Sequence, residues 1–591
     1  MSERDVTRPE EKGRNIPPVA MSETSTLVNP TGSWRYIMPR SEARVAPCNA
    51  GCPVGLDIEG YMYLIGQGRL EEAAALLVRE NPMPAVTGRV CHHPCEHNCN
   101  RASLDEPVAI HSVERRLGDM ILAAPPAPAA ERARAESVAV VGSGPAGLSC
   151  AYFLARLGYG VTVFEAAAEA GGMLRLGIPE YRLPRAILDR QIERIAGTGI
   201  EIRTSVRIGT DVPWTELDEF DAVFVAPGAH TGKDSRIEGA EGVSAIRPGL
   251  EFLKEVNAGA RPDLGDRVIV VGGGNTAMDC ARSALRLGAG VTVLYRRTPR
   301  EMPAIPLEVR EAKDEGVGFE FLAAPIGVEL EDGEFTGITC QRMELGEPDD
   351  SGRRRPVPIE GDVFFAAADT VLTAIGEDCD LSFLPDDVRT KWGLIEVDPV
   401  GESTSAPVFA GGDAVDMPRS VADALGAGKR AAIGIDHFLR DRAGEDVGDL
   451  PLGALRFGAG NVSALRYTDG EDPIPREAPV NEVVTWDQMN PHHFHTSPRH
   501  EDHFHDAIDL RSAFGETNFG LTEKEAIEEA ERCLNCGVCN RCELCLIFCP
   551  DMAISRREDG GFEIDMRYCK GCGLCAAECP RGAVTMTREG I

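Results

Sequence analysis

Near the C-terminus, cysteines recur at intervals that suit an iron–sulfur cubane. Cys539-x2-Cys542-x2-Cys545-x3-Cys549-Pro550 and Cys569-x2-Cys572-x2-Cys575-x3-Cys579-Pro580 are two copies of one run. Two-residue spacers wrap a turn of chain around three corners of a [4Fe–4S] cluster, and the fourth cysteine of each run reaches across to the other cluster. The frame predicts one cluster on Cys539, Cys542, Cys545 and Cys579, and a second on Cys569, Cys572, Cys575 and Cys549. A zinc ribbon would need four cysteines in two pairs, without the doubled run or the closing proline. Cys533 and Cys536 continue the same three-residue ladder upstream and open an alternative register. The proline-anchored frame fits both halves and leaves these two unassigned.

Five more cysteines stand near the N-terminus in a looser pattern, Cys48-x3-Cys52-Pro53 and Cys91-x3-Cys95-x3-Cys99. Cys150, Cys280, Cys340 and Cys379 are single and read as small buried hydrophobes. The polar start, MSERDVTRPEEKGRN, lacks the apolar core of a secretory signal, so a cytoplasmic location is expected. In a reducing compartment, clustered cysteines mean metal or redox chemistry rather than disulfides. No apolar run approaches the roughly 20 residues of a membrane span, and no membrane insertion is expected. A formal charge of −33 argues against nucleic acid as a partner, because phosphate binding needs clustered excess Lys and Arg.

Two glycine loops supply a second chemistry. Gly142-Ser143-Gly144-Pro145-Ala146-Gly147 closes an apolar strand and opens a helix, and Glu165 ends the next strand. In such a fingerprint the first two glycines permit the turn and the approach of a pyrophosphate. The third lets helix and strand pack closely, and the carboxylate accepts from a ribose. Gly272-Gly273-Gly274-Asn275-Thr276-Ala277 repeats the loop, but its second strand ends in Tyr295-Arg296-Arg297 with no acid. A carboxylate would repel a 2′-phosphate and arginines pair with one, so NADP(H) is favoured over NAD(H). A further segment, Val408-Phe409-Ala410 followed by Gly411-Gly412-Asp413 and a small-residue helix, resembles a second FAD motif, which implies flavin at the first site.

Elements must hold these groups in order along the 591 residues. The pattern predicts a polar leader over 1–40 and a helical iron–sulfur region with a Pro/Ala linker over 41–134. An FAD domain follows from 135–255 plus 396–440, with an NAD(P)H domain at 256–395 inserted in it. A His- and Pro-rich connector covers 441–530, and a ferredoxin-like α+β domain 531–591. Strand–helix alternation in the middle implies parallel α/β sheets, so the fold class is multidomain α/β with two Rossmann-like domains. His492, His493, His495, His500, His503 and His505 lack a repeated ligand pair and are read as part of a solvated connector.

The stretches GGMLRLGIPEYRLP (171–184), GGGNTAMDCARSALRLGA and YRRTPREMPA resemble the glutamate synthase small subunits and related NAD(P)H:acceptor oxidoreductases, over about residues 45–440. The Gly412-Asp413 segment likewise resembles the second FAD motif of flavoproteins with two dinucleotide-binding domains. The resemblance implies that Gly172 and Met173 lie beside FAD, that Asp413 contacts its ribityl chain or pyrophosphate, and that the helix from about Ser420 points its N-terminus at the ring. Hydride would pass between the two cofactors with no side-chain acid or base, so no catalytic residue is assigned. The family carries two N-terminal clusters, one of which uses a Cys-x-x-Cys pair upstream of the first matched cysteine. No cysteine precedes Cys48, so one N-terminal cluster is expected. By position it takes Cys52, Cys91, Cys95 and Glu114, with Cys99 an alternative to Glu114, Cys48 left over, and structural zinc an alternative content. His92, His93, His97 and His111 are read as surface or supporting groups. A thioredoxin-reductase-like dithiol relay is set aside, because the second nucleotide-binding unit, 266–297, holds only Cys280.

The expected function is hydride exchange between NAD(P)H and FAD, then single-electron transfer through [4Fe–4S] clusters. The partner would be a ferredoxin or a larger redox enzyme, such as a 2-oxoacid:ferredoxin oxidoreductase, a sulfite-reductase-type enzyme or a glutamate synthase-like large subunit. A glutamate synthase small subunit proper is the alternative, against which the cysteine-rich tail counts. A redox-sensing scaffold without turnover is a third reading, opposed by two intact nucleotide loops.

Overall fold

The computed structural model describes residues 30–126, 129, 131–349, 352–468, 481–505, 514–558 and 560–589. Strand β1 (Ile37–Ser41) pairs antiparallel with Val584–Arg588 at the other end of the chain. Four helices longer than a single turn follow: α1 (Ile58–Gly66), α2 (Leu70–Glu80), α3 (Pro84–Val90) and α4 (Ile110–Ala123). Asp57 caps α1 by accepting from the Gly60 amide at 3.2 Å. In α2, Glu71 and Glu72 occupy the first turn and Arg79 the last, each sign matching the helix dipole.

The alternating segment forms two parallel sheets. The first contains β2 (Ser137–Val141), β3 (Gly160–Phe164), β4 (Glu201–Arg203) and β5 (Ala222–Val225), with helix α5 (Pro145–Arg156) between β2 and β3. The second contains β6 (Ile246–Pro248), β7 (Arg267–Val271), β8 (Gly290–Tyr295) and β9 (Gly318–Phe321), with helix α6 (Asn275–Arg286) after β7 and α7 (Pro306–Glu315) after β8. An antiparallel trio β10 (Ala323–Glu331), β11 (Glu334–Pro348) and β12 (Arg354–Ala367) then intervenes. Strand β13 (Thr370–Thr373) completes the second sheet in the order β9-β8-β7-β13-β6. The chain returns through β14 (Val408–Ala410) to complete the first sheet as β14-β5-β2-β3-β4. The central strands are continuous apolar runs because both sheet faces are covered.

Long helix α8 (Val421–Arg442) crosses α5 at close range. A Cβ on Gly428 would run into the Ala146 carbonyl oxygen, so the small residues of this helix are a packing requirement. Helix α9 (Glu523–Glu531) then leads into the second cysteine block, with a capping box at Thr522 and Glu525.

The structure corrects three of the expected boundaries. Residues 31–41 belong to structure rather than to a free arm: Thr31 Oγ1 donates to the Tyr568 carbonyl at 2.8 Å, and β1 is an edge of the C-terminal unit. The second sheet begins at Ile246, before residue 256, because β6 pairs with β13. Much of the connector is docked: Val45 bridges Val483, and Val484 lies buried with Ala46 and Leu534. Residues 1–29, the rest of the leader, lie outside the described residues.

The helical region is fixed to the first sheet by one buried ion pair. Lys429 Nζ on α8 donates to Glu80 Oε2 at 2.7 Å and to the Gly55 and Glu80 carbonyls at 3.2 Å. Glu80 also accepts from Ser463 Oγ and from the amides of Ala464 and Leu465. Both side chains are buried. Lys429→Met leaves the carboxylate without its cation, at an expected cost of about 3–5 kcal/mol. Scanning calorimetry should show a lowered midpoint, with earlier proteolysis of residues 41–123. Adding Glu80→Gln should recover part of the loss, because it removes the unpaired buried charge while its one amide oxygen still accepts from Ser463 Oγ and the Leu465 amide. An unchanged midpoint in the single variant contradicts this role.

Candidate functional site

The first glycine loop has the shape of an anion cradle. Gly142 has φ +99°, and a Cβ on Gly147 would run into the Gly142 carbonyl oxygen. A Cβ on Gly144 meets nothing within 4 Å, so this position faces open space at the start of α5. Pro145 opens that helix, where its missing N–H costs nothing, and Ala146 is buried beneath it. Glu165 is 8% exposed and fixed at the loop: Oε2 accepts from the Ser143 amide at 2.9 Å and from Ser143 Oγ, and Oε1 from the Ala167 amide at 2.7 Å. A carboxylate accepts roughly four hydrogen bonds, so capacity remains for a hydroxyl.

Gly172 and Gly412 converge on this loop. Gly172 has φ +52°, and its Cβ would stand 2.8 Å from Gly144 Cα. Gly412 has φ +66°, and its Cβ would stand 3.0 Å from the Ala146 Cβ. Met173 starts the single turn Met173–Leu176 beside them. Asp413 is half-buried, and burial raises its carboxyl above the usual range against the pull of Arg419. Helix α8 begins nearby with Ser420 as its cap.

The second loop repeats the geometry. Gly272 has φ +147°, a Cβ on it would run into the Ala374 carbonyl, and Gly274 again faces open space. Asn275 Oδ1 accepts from the Ile305 amide at 2.9 Å, and Thr276 is half-exposed at the first turn of α6. The two arginines at the end of β8 diverge. Arg296 is exposed, and partial desolvation of its guanidinium together with the neighbouring cations Arg297, Arg353 and Arg236 lowers its pKa. Arg297 departs from the expectation: it is 5% exposed, donates to the Arg354 carbonyl at 2.7 Å and pairs with Asp349 at 2.7 Å. Its side chain is committed to the antiparallel trio because β8 ends against that sheet. Neither Arg236 nor Arg353 was recoverable from the sequence, since loop and hairpin positions carry no motif.

The clustered cysteines gather in four groups. Cys539, Cys542, Cys545 and Cys579 line one cavity with apolar walls, and Cys549, Cys569, Cys572 and Cys575 line the next. Cys575 borders both. Near the N-terminus, Cys52, Cys91 and Cys95 are neighbours of one another, and Glu114 lies in electrostatic range of Cys52 and Cys91. Burial raises the Glu114 carboxyl to about 7, although Thr87 Oγ1 and Asn81 Nδ2 donate to it. Burial likewise pushes the Cys52 thiol up to about 11. Cys99, the alternative to Glu114, lines a third cavity with Cys48, Cys533 and Cys536. All nineteen cysteines are free. Among the described residues no three His, Cys, Asp or Glu are gathered to hold a single metal ion, and the thiols instead ring cavities, the donor set and apolar wall that a cubane fits.

The histidines are held by acids. His111 Nδ1 stands 2.8 Å from Glu96 and its Nε2 3.4 Å from Asp502, which raise it to about 9 against the effect of burial. His93 stacks on it at 3.9 Å. In the connector, half-buried His493 pairs with Glu578 and exposed His503 with Glu525, each at 3.0 Å.

A buried ionic network joins the two sheets. Arg182, in the 171–184 stretch, pairs with Asp279 at 2.9 Å and Glu308 at 2.7 Å. Arg282 reaches Glu308 at 2.6 Å and Glu315 at 2.7 Å, and Arg286 reaches Glu315 at 2.6 Å. Tyr181 lies under both arginines, 4.9 and 3.9 Å from its ring centre.

Three protein families match segments of the chain. The pyridine nucleotide-disulphide oxidoreductases match residues 136–428, the dihydropyrimidine dehydrogenase domain II with its 4Fe-4S cluster matches 41–125, and the 4Fe-4S dicluster domain matches 538–583. The chain is 47% identical over 424 residues to the NADP(+)-dependent formate dehydrogenase subunit beta of Moorella thermoacetica, covering 67% of this chain and 60% of that protein. It is 40% identical over 529 residues to the NADPH-Fe(3+) oxidoreductase subunit beta of Geobacter sulfurreducens, covering 83% and 75%. It is 35% identical over 424 residues to the glutamate synthase [NADPH] small chain of Escherichia coli, covering 66% and 88%. Among solved structures, Mycobacterium tuberculosis FprA in complex with NADPH aligns with 54% of this chain and 88% of its own, at 21% identity and a TM-score of 0.46. No helix of the described residues is long and apolar enough to cross a membrane.

Gly172→Ala tests the convergence at the first loop. The added Cβ meets Gly144 Cα at 2.8 Å at a backbone angle that L side chains rarely adopt. The expected variant binds flavin substoichiometrically, read as the ratio of flavin to protein absorbance, while its iron content is retained. Full flavin occupancy would contradict the close approach.

Proposed function

Because the chain belongs to the family of glutamate synthase small chains and related NADPH-dependent FAD and iron–sulfur oxidoreductases, we propose that it exchanges a hydride between NADPH and FAD and moves single electrons through [4Fe–4S] clusters to a larger redox partner. One observation carries this reading: a chain with two open dinucleotide loops ends in two cysteine-lined apolar cavities. Bound FAD supplies the exchange between the two-electron chemistry of nicotinamide and the one-electron chemistry of the clusters.

The chain's residues bind and orient. The amides opening α5 and α6, beside Gly144 and Gly274, face the pyrophosphates of FAD and NADPH. Glu165 accepts from the FAD ribose, held ready by Ser143 and Ala167. The N-terminus of α8, capped by Ser420, presents positive helix polarity toward the flavin ring. Arg296 takes the 2′-phosphate within the field of Arg236 and Arg353, and Arg297 supports that strand end from below. Cys52, Cys91, Cys95 and Glu114 hold an N-terminal cluster, and the two C-terminal cavities hold the ferredoxin-like pair. The Moorella and Geobacter relatives are named as β subunits, which supports a separate catalytic subunit as the partner.

Arg296→Ala removes one charge-assisted contact to the 2′-phosphate, about 1.5–3 kcal/mol, so kcat/KM for NADPH should fall about 10- to 100-fold. NADH turnover should be little changed, with ferricyanide as the acceptor. Arg297→Ala should instead lower stability and affect both nucleotides alike. Equal losses for NADPH and NADH in the Arg296 variant would remove the 2′-phosphate assignment, and no NADPH-driven dye reduction by the flavin-loaded protein would remove the whole reading.

A further inference from the structure

The third cysteine cavity belongs to neither end of the chain alone. Cys48 and Cys99 come from the helical region, and Cys533 and Cys536 from the segment after α9. The 4Fe-4S dicluster match begins at residue 538, and the N-terminal match ends at residue 125, so neither covers Cys533 or Cys536. We infer that Cys48, Cys99, Cys533 and Cys536 ligate a further [4Fe–4S] cluster between the helical region and the C-terminal unit.

The cavity is built for such a group. Its wall is mainly aliphatic, with Ile58 and Val108 facing the thiols. Donors are aimed at the sulfurs: Asn100 Nδ2 lies 3.7 Å from Cys536 Sγ and Asn535 Nδ2 3.8 Å from Cys533 Sγ. N–H donors at cysteine sulfur serve a thiolate ligand and tune a cluster's potential. Asn535 has φ +49° and Gly537 φ +79°, so the chain turns sharply around the Cys533-x2-Cys536 pair.

Position is enforced by charge. Arg532, immediately before Cys533, pairs with Glu529 at 2.6 Å and Asp105 at 3.2 Å, and donates to the Glu106 carbonyl at 2.9 Å. Glu529 in turn accepts from the Ala109 amide at 2.7 Å. Arg101 donates to the Arg532 carbonyl. These bonds press the start of the C-terminal block against the loop that carries Cys99. Beyond the turn, the Gly537 amide donates to Arg581 at 2.6 Å, and its carbonyl accepts from Arg44 at 2.9 Å.

Ligation releases the four thiol protons. In turnover the cluster accepts one electron and returns one, with no bond made or broken, and the electron comes from the reduced flavin of the proposed function. The assignment of the ligands does not depend on the direction of that flow. Cys536 and Cys539 are three positions apart, a span of at most about 11 Å, so this cluster would lie next to the first of the C-terminal pair.

The test is a cluster count on the intact chain, prepared and reconstituted without oxygen. Native mass spectrometry should find four cubanes per chain, and a maximum of three overturns the proposal. Cys533→Ser with Cys536→Ser should lose four irons and four sulfides per chain and one component of the reduced-state EPR spectrum, with Cys340→Ser as the unchanged control. An unchanged iron count in the double variant also overturns it, and if that variant does not fold, the wild-type count decides. NADPH-driven bleaching of the flavin in the wild type reads the flavin proposal separately, so the two can fail independently.

Discussion

The ammonium of Lys429 buried against Glu80 is the constraint from which the rest of the arrangement follows. Taking both charges out of water is costly, and that cost is met only because each finds further partners. Lys429 has two carbonyls besides the carboxylate, and Glu80 has a hydroxyl and two amides besides the ammonium. The bond fixes α8, whose first turns pack on the dinucleotide loop, to α2, which packs in the helical region. Tunnelling between redox centres falls steeply with separation, so a flexible joint here would make every transfer rate depend on domain motion. A fully satisfied buried pair has one geometry, which suits a fixed spacing.

The second constraint is the ionic network around Arg182. The stretch 171–184 has two jobs that need different residues close together. Gly172 lets backbone lie against Gly144, and ten residues on, Arg182 grips Asp279 and Glu308 from the other sheet. Hydride exchange needs the two dinucleotide sites held in a fixed relation, and the same short segment touches both. That explains why it is so specific a sequence signature although it carries no acid, base or nucleophile. Burial raises the Asp279 carboxyl to about 6, and the paired arginines pull it back, so the network is held together by its cations.

Features encoded locally were legible in the sequence. The glycine loops, the acid at 165 and the cysteine runs each rest on backbone geometry or spacing within a few residues; the loops lie in the structure as cradles, and each cysteine run lines one cavity with its first three thiols and the neighbouring cavity with its fourth. Features made by distant pairing were not legible. Residues 37–41 have no strong pattern of their own, because β1 is stabilised by Val584–Arg588 more than 540 residues away. Arg296 and Arg297 are neighbours in sequence, but only burial against β10–β12 shows that the second is committed to Asp349. The extent of the second sheet was misjudged because β6 is three residues long, too short for periodicity to register.

The cysteine ladder shows how a regular spacing can mislead. From Cys533 to Cys545 the interval is a constant three residues, and a period alone cannot say where one binding unit stops. What divides it is the turn at Asn535 and Gly537, whose backbone angles are positive, together with the grip of Arg532 on Asp105 and Glu106. Upstream of the turn the thiols face Cys48 and Cys99; downstream they face Cys579. The two ends of the chain are therefore interleaved: β1 completes the C-terminal unit, while the start of the C-terminal block completes a cavity in the N-terminal one. Pulling the ends apart would open both, so docking of the tail and the formation of that cavity are one folding event.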